Sequence, residues 1–236
     1  MTPLILASSS PRRRELLAEL VEDFAIVGSA VEDTGSSEMP DRAIQPLDLP
    51  EAYQIASEEH PTLWAWRKAA DISRSQRDKY PGVAVLGADT VVLAPGKVLG
   101  KPNGPEDALN MLKLLRGRKH YVVTGYALVR WAADRVETLS TGACASAVWM
   151  RDSSDTELKG YVASGEPMDK AGAYAVQGLG SKLVSRVEGC FNNVVGLPVC
   201  AVRTALIEAG VEVAPRPVGG YCETCPLYEL REGFVP

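Results

Sequence analysis

Apolar positions follow two rhythms along this chain, a strand-like run and a helix-like stripe, and the two alternate. Leu4–Ala7 is a short continuous apolar run, as a buried strand requires, and Pro11–Val21 follows as a helix with Leu16, Leu17, Leu20 and Val21 on one face. Phe24–Val27 predicts a second strand. Helix resumes near Thr62 and runs through Trp64, Lys68 and Ile72. Val83–Leu86 is an apolar strand that ends at Gly87-Ala88-Asp89-Thr90; Val91–Leu93 continues as strand before Ala94-Pro95-Gly96-Lys97 turns the chain. Glu106–Leu115 predicts a helix with Met111, Leu112 and Leu115 as its apolar stripe. Two β segments, Tyr121–Trp131 and Val136–Trp149, are joined by a polar turn at Ala132–Arg135. Asp155–Ala163 and Leu197–Ala209 read as helices, the latter stopped by Gly210. Strands and helices mixed in this order predict an α/β fold, a mixed β-sheet with flanking helices.

Two stretches break the pattern. From Thr34 to Pro61 the chain carries Gly35, Pro40, Pro46, Pro50 and Pro61 with acidic residues and little periodicity, which predicts a loop insertion outside the core. From residue 214 on, the chain is punctuated by Pro and Gly and carries Cys222-Glu223-Thr224-Cys225. A lone Cys-x-x-Cys is half of a zinc site, a redox pair, or two incidental cysteines on an appendage. The organisation expected is one unit over residues 1–213, with the 34–61 insertion, and a tail over 214–236.

Composition narrows the function classes. The chain has 236 residues, 46% of them hydrophobic and 23% charged, which suits a globular protein with a sizeable core. A net charge of −5 argues against a sequence-independent nucleic-acid partner, which needs a broad basic face, but leaves room for a small anion held by a local cluster. No apolar run approaches the ~18 residues of a membrane span. The arginines follow the first apolar run instead of preceding it, unlike a signal peptide. Five scattered cysteines form no disulfide framework, so a cytoplasmic enzyme with no membrane partner is the expectation.

Chemistry-bearing residues gather in four places. Ser8-Ser9-Ser10-Pro11-Arg12-Arg13-Arg14 opens the first helix, with Ser10 suited to the N-cap and Pro11 to the first helical position. Cations there oppose the helix dipole by about 0.3–1 kcal/mol each, so the turn either holds an anion such as a phosphate chain or is a solvated basic turn. Asp89 is either an acid presented at the end of a buried strand or a turn cap. Lys101, between Gly100 and Pro102, is either a phosphate ligand or an exposed turn lysine. Gly165 to Gly178 concentrates glycines with Glu166, Asp169, Lys170 and Gln177, as suits a loop whose backbone approaches a ligand; the Gln177 amide can pair with a nucleobase edge.

Taken in order, Leu6-Ala7-Ser8-Ser9-Ser10-Pro11-Arg12-Arg13, Leu86-Gly87-Ala88-Asp89-Thr90-Val91-Val92, Gly100-Lys101-Pro102, His120 through Thr124, the Gly165–Gly180 block and Asn193-Val194-Val195-Gly196-Leu197-Pro198 resemble the Maf family of nucleoside triphosphate pyrophosphatases. The resemblance spans residues 4 to about 210. It implies two lobes around a central cleft, an architecture related to inosine triphosphate pyrophosphatases. It also implies hydrolysis between the α and β phosphates with a divalent metal, Mg²⁺ or Mn²⁺, and suggests a homodimer. By the same resemblance Asp89 is the proton acceptor, and Ser8, Arg13, Lys68 and Lys101 bind the phosphates. Arg12, Thr90 and Gln177 match the positions of base choice in the branch acting on dTTP and UTP. Other readings are the same reaction on CTP or 7-methyl-GTP, and a nucleotide-responsive protein inhibiting septum formation. Glu32-Asp33 stands where the family has its adjacent acids, so Glu32, Asp33 and Asp89 are the expected metal ligands.

Overall fold

The computed structural model describes residues 4–30 and 37–214. Leu4–Ala7 forms β1, buried along its whole length, as a strand covered on both faces must be. It pairs in parallel with β2 (Phe24–Ile26) on one side and β3 (Ala84–Ala94) on the other. β4 (Lys97–Leu99) folds back antiparallel on the end of β3, whose other side pairs antiparallel with β5 (Lys119–Ala132). β6 (Arg135–Met150) and β7 (Val184–Glu188) continue the sheet antiparallel. Among the described residues the result is a seven-stranded mixed sheet in the order β2-β1-β3-β5-β6-β7, with β4 beside β3. The turn between β5 and β6 places Ala133 and Asp134 at φ 49° and 60°, the left-handed pair whose twist suits a two-residue hairpin.

Side-chain alternation along β3 sorts the core. Val83 and Val85 face α2 (Pro61–Ser75), packing with Ala65, Trp66 and Ala69. Ala84, Leu86 and Ala88 face the other way, against α1 (Pro11–Ala18) and Leu197, Val199, Val202 and Leu206. Further along, Val92 and Val122 pack with Leu112 and Leu115 of α3 (Pro105–Leu115) and Leu158 of α4 (Asp155–Ala163). A capping box between Ser154 and Glu157 starts α4. The chain closes with α5 (Phe191–Val195) and α6 (Val199–Glu208). No helix among the described residues is long and apolar enough to cross a membrane.

Glycine decides how closely α2 lies on the sheet. A Cβ at Gly87 would sit 2.0 Å from the Ala65 carbonyl oxygen, and one at Gly125 would sit 2.2 Å from the Thr62 nitrogen. Gly125 pairs across from Asp89, so this close packing surrounds the acid. β3 is also incompletely paired. On the side away from β5, β1 covers Ala84–Gly87 and β4 covers Val92–Ala94. Among the described residues no strand pairs with 88–91 on that side.

The structure departs from the sequence reading at several points. Asp89 lies inside one continuous eleven-residue strand, not after its end; Gly87 marks a close helix approach, not a strand stop. α1 stops at Ala18 instead of Val21, yet Leu20 and Val21 stay buried because both their N–H groups turn back onto the Leu17 carbonyl. The Leu197–Ala209 helix begins only at Val199, with Pro198 at its N-cap; Gly196, at φ 130°, separates it from α5. β4 is a short strand that begins at Lys97, which the sequence reading placed in a turn, and β7 is a short strand in a stretch to which that reading gave no element. The insertion, described from residue 37, has only two 3₁₀ turns, at Glu51–Tyr53 and Ser57–Glu59. It nevertheless covers the sheet: Leu47, Leu49, Tyr53 and Ile55 pack over Val91, Leu93 and Val123. Apolar side chains spaced between prolines lack a period but can still cover a sheet face. The Cys-x-x-Cys of the tail lies outside the described residues.

The close packing predicts a stability contrast. Gly125→Ala should lower the unfolding free energy by about 1–3 kcal/mol, because the methyl group meets helix backbone that cannot rotate away. Gly160→Ala, inside α4 with open space around it, should raise it by about 0.5–1 kcal/mol. Denaturant unfolding of both variants checks this; equal stability for Gly125→Ala and the wild type would contradict it.

Candidate active site

The unpaired stretch of β3 opens into a cavity of about 470 Å³. Ser8, Arg12, Arg13, Lys68, Asp89, Thr90 and Lys101, seven of the residues singled out in the sequence, all line it. Asp89 and Thr90 point to opposite faces of β3, and the missing neighbour strand lets both reach the same space. Gln177 is exposed and does not line the cavity, whereas its neighbour Val176 does. Glu32 and Asp33 lie outside the described residues.

α2 brings Lys68 to Asp89. The Lys68 Nζ donates to Asp89 Oδ1 at 2.6 Å, and both side chains are largely shielded from solvent. Among the described residues nothing bonds to Asp89 Oδ2. Among the described residues, one oxygen is therefore anchored and the other has no partner. The start of α2 is fixed by His60, whose Nδ1 accepts from the Thr62 N–H at 3.2 Å, with Pro61 in the first position.

Arg13 is held by a directed chain of hydrogen bonds. Its Nε donates to the Gly196 carbonyl at 2.9 Å, and its guanidinium also donates to Thr90 Oγ1 at 3.0 Å and to Ser8 Oγ at 3.5 Å. Thr90 Oγ1 and Thr124 Oγ1 are 2.9 Å apart. Thr124 Oγ1 donates to the Asn193 carbonyl, so the Thr90 hydroxyl supplies the hydrogen between the two threonines. The Asn193 side chain then accepts from the Thr124 N–H and donates to the Val122 carbonyl and Ser146 Oγ, all within 3.0 Å. Thr124 and Asn193 are fully buried, where an unmet polar group would be costly. Both stood inside recognised motifs, but only the fold reveals that they support Arg13.

The far wall comes from residues 165–180. Lys170 is buried and donates to the Glu166 carbonyl at 2.8 Å and to the Asp169 carboxylate. Partial burial raises the Asp169 carboxyl, but the Lys170 bond and charge and the nearby Arg12 charge outweigh it and hold the carboxyl below its ordinary value. Tyr174 lines the cavity and meets the wholly buried His120, Nε2 to hydroxyl, at 2.7 Å. Burial pushes His120 down to about 4, so the ring is neutral at physiological pH.

The arrangement gathers cations, hydroxyls and the carboxylates of Asp89 and Asp169, each paired with a lysine, around a space large enough for a small polyanion. Among the described residues no three His, Cys, Asp or Glu side chains cluster as a metal cage. A carboxylate with one open oxygen suits a hard cation that takes its remaining ligands from phosphate oxygens and water.

Comparison with known proteins finds relatives along most of the chain. A family model described as Maf-like protein matches residues 3–209. The chain is 39% identical over 207 residues to a dTTP/UTP pyrophosphatase of Dictyoglomus turgidum, covering 88% of this chain and 96% of the relative. It is 42% identical over 213 residues to a dTTP/UTP pyrophosphatase of Moorella thermoacetica, covering 90% and 98% respectively. A third relative of that description, from Syntrophus aciditrophicus, is 39% identical over 208 residues, covering 88% and 90%.

The chain of hydrogen bonds behind Arg13 gives a direct expectation. Thr124→Val removes the acceptor of Thr90 and a donor to Asn193, and should destabilise the fold by about 1–3 kcal/mol. Binding of inorganic tripolyphosphate, measured by calorimetry on the folded variant, should weaken roughly tenfold, or about 1.4 kcal/mol. Unchanged affinity would show that Arg13 does not depend on the threonines.

Proposed function

The chain belongs to the Maf family, and from that membership we propose that it is a nucleoside triphosphate pyrophosphatase acting on dTTP and UTP, releasing the monophosphate and pyrophosphate. The observation that carries this reading is the half-anchored Asp89, with Lys68 on one oxygen and the other without a partner among the described residues, in the same cavity as Ser8, Arg12, Arg13 and Lys101. Arg13 and Lys101 bind the triphosphate by charge, and the Ser8 hydroxyl adds a neutral donor. Lys68 holds Asp89 in place and, lining the same cavity, shares in binding the phosphates in this reading. The free oxygen of Asp89 accepts a proton from the attacking water.

Asp89, together with the adjacent acids Glu32 and Asp33, would hold a divalent cation, Mg²⁺ or Mn²⁺. When bound, such an ion neutralises charge that develops on the departing pyrophosphate. Arg12, Thr90 and Gln177 govern base choice in this reading. Since the Thr90 hydroxyl is engaged by Arg13 and Thr124, its influence runs through the position of Arg13. Gln177, exposed next to the cavity-lining Val176, acts in this reading from beside the cavity.

Purified protein with Mg²⁺ or Mn²⁺ should release pyrophosphate from dTTP and UTP faster than from CTP or 7-methyl-GTP. A coupled pyrophosphate assay across these nucleotides checks it. Nucleotide binding without pyrophosphate release, or preference for CTP or 7-methyl-GTP, would overturn the reading.

A further inference from the structure

Val176 and Gln177 lie in a stretch with little regular structure of its own, yet both ends of that stretch are held. Two side chains from outside hold it. The Tyr161 hydroxyl, on α4, accepts from the Ala175 N–H at 3.2 Å and donates to Glu166 Oε1 at 3.0 Å. Glu166 Oε1 also accepts from the Gly180 N–H at 2.9 Å, and Oε2 accepts from the Leu179 N–H at 3.0 Å. The anchors therefore lie just before Val176 and just after Gln177. The backbone is shaped for them: Gly178 sits at φ 68°, and a Cβ there would lie 2.8 Å from Glu166 Oε2. A Cβ at Gly180 would lie 2.6 Å from the Tyr161 hydroxyl. Glu166 is in turn fixed through its own carbonyl by Lys170, which lines the cavity.

We infer that the Tyr161–Glu166 pair is the positioning element of base selection, holding Val176 in the cavity wall, and Gln177 beside it, at the distance the nucleobase requires. This rests on the pyrophosphatase reading above. Neither side chain lines the cavity, so both act through the segment they hold. Three acceptor bonds to one carboxylate explain why a charged residue stands at position 166: a glutamine has one carbonyl oxygen, and its amide would face an N–H that needs an acceptor.

The test uses the full chain carrying Glu166→Gln, with Tyr161→Phe as a second variant that keeps both backbone bonds to the carboxylate. In Glu166→Gln, amide exchange at Leu179 and Gly180 should quicken at least about tenfold, as local opening becomes easier. KM for UTP should rise about tenfold with kcat within about threefold, and the preference for UTP over CTP should shrink. Tyr161→Phe should move the same three quantities in the same direction by less, and it decides the matter if Glu166→Gln does not fold. Equal losses of kcat for UTP and CTP with unchanged preference, or unaltered exchange at Leu179 and Gly180, would overturn the inference. Should the wild type release no pyrophosphate from any nucleotide, the pyrophosphatase reading fails. Amide exchange then still decides whether the clamp exists.

Discussion

One constraint sets the rest: α2 can lie against the sheet only because Gly87 and Gly125 carry no side chain. With the helix backbone pressed that close, Lys68 reaches across to Asp89 and fixes one of its oxygens. Had either glycine borne even a methyl group, the helix would have to move outward, and the lysine with it. The same strand supplies the second condition. β3 runs past the end of β1 before β4 begins, and the uncovered segment exposes residues from both of its faces to one cavity. A single strand thereby offers a carboxylate from one face and a hydroxyl from the other.

Electrostatics complete the arrangement. A chain of net charge −5 assembles its cations locally, from the start of α1, from α2 and from the Gly100–Pro102 turn. Arginines in a first helical turn work against the helix dipole by about 0.3–1 kcal/mol each. The bonds described for Arg13 go to neutral oxygens of Ser8, Thr90 and Gly196, which orient the guanidinium toward the cavity it lines. Thr124 and Asn193, which support Thr90 from behind, are buried, so their geometry is set by packing and does not depend on a ligand. Arg14, by contrast, is exposed and does not line the cavity, so the solvated reading of that basic turn holds for it alone.

Much of this was legible in the sequence because its signals were local. The strand at Leu4–Ala7, the serine-proline start of α1 and the hairpin of β5 and β6 follow from short-range pattern and turn chemistry. The family motifs named Ser8, Arg12, Arg13, Lys68, Asp89, Thr90 and Lys101, and the fold brings all of them to one cavity. What escaped was non-local. Gly87 looks like the end of a strand until the helix that needs its missing side chain is in place. Thr124 and Asn193 are 69 residues apart, and nothing in either neighbourhood announces that one completes the other. The insertion's apolar residues follow no period, so their cover over Val91, Leu93 and Val123 was invisible to pattern. Gln177 is the reverse case: its motif suggested contact with the ligand space, and the structure leaves it exposed beside that space.

The role assigned to Asp89 is the most direct point of attack. Asp89→Asn preserves shape while removing the carboxylate, so turnover of UTP with Mg²⁺ should fall by at least about a hundredfold, the usual worth of a positioned general base. Nucleotide affinity, measured on the same protein by calorimetry, should stay near the wild-type value, because the cavity keeps Arg12, Arg13, Lys68 and Lys101. An Asp89→Asn protein that releases pyrophosphate at the wild-type rate would contradict the chemistry proposed for this cavity.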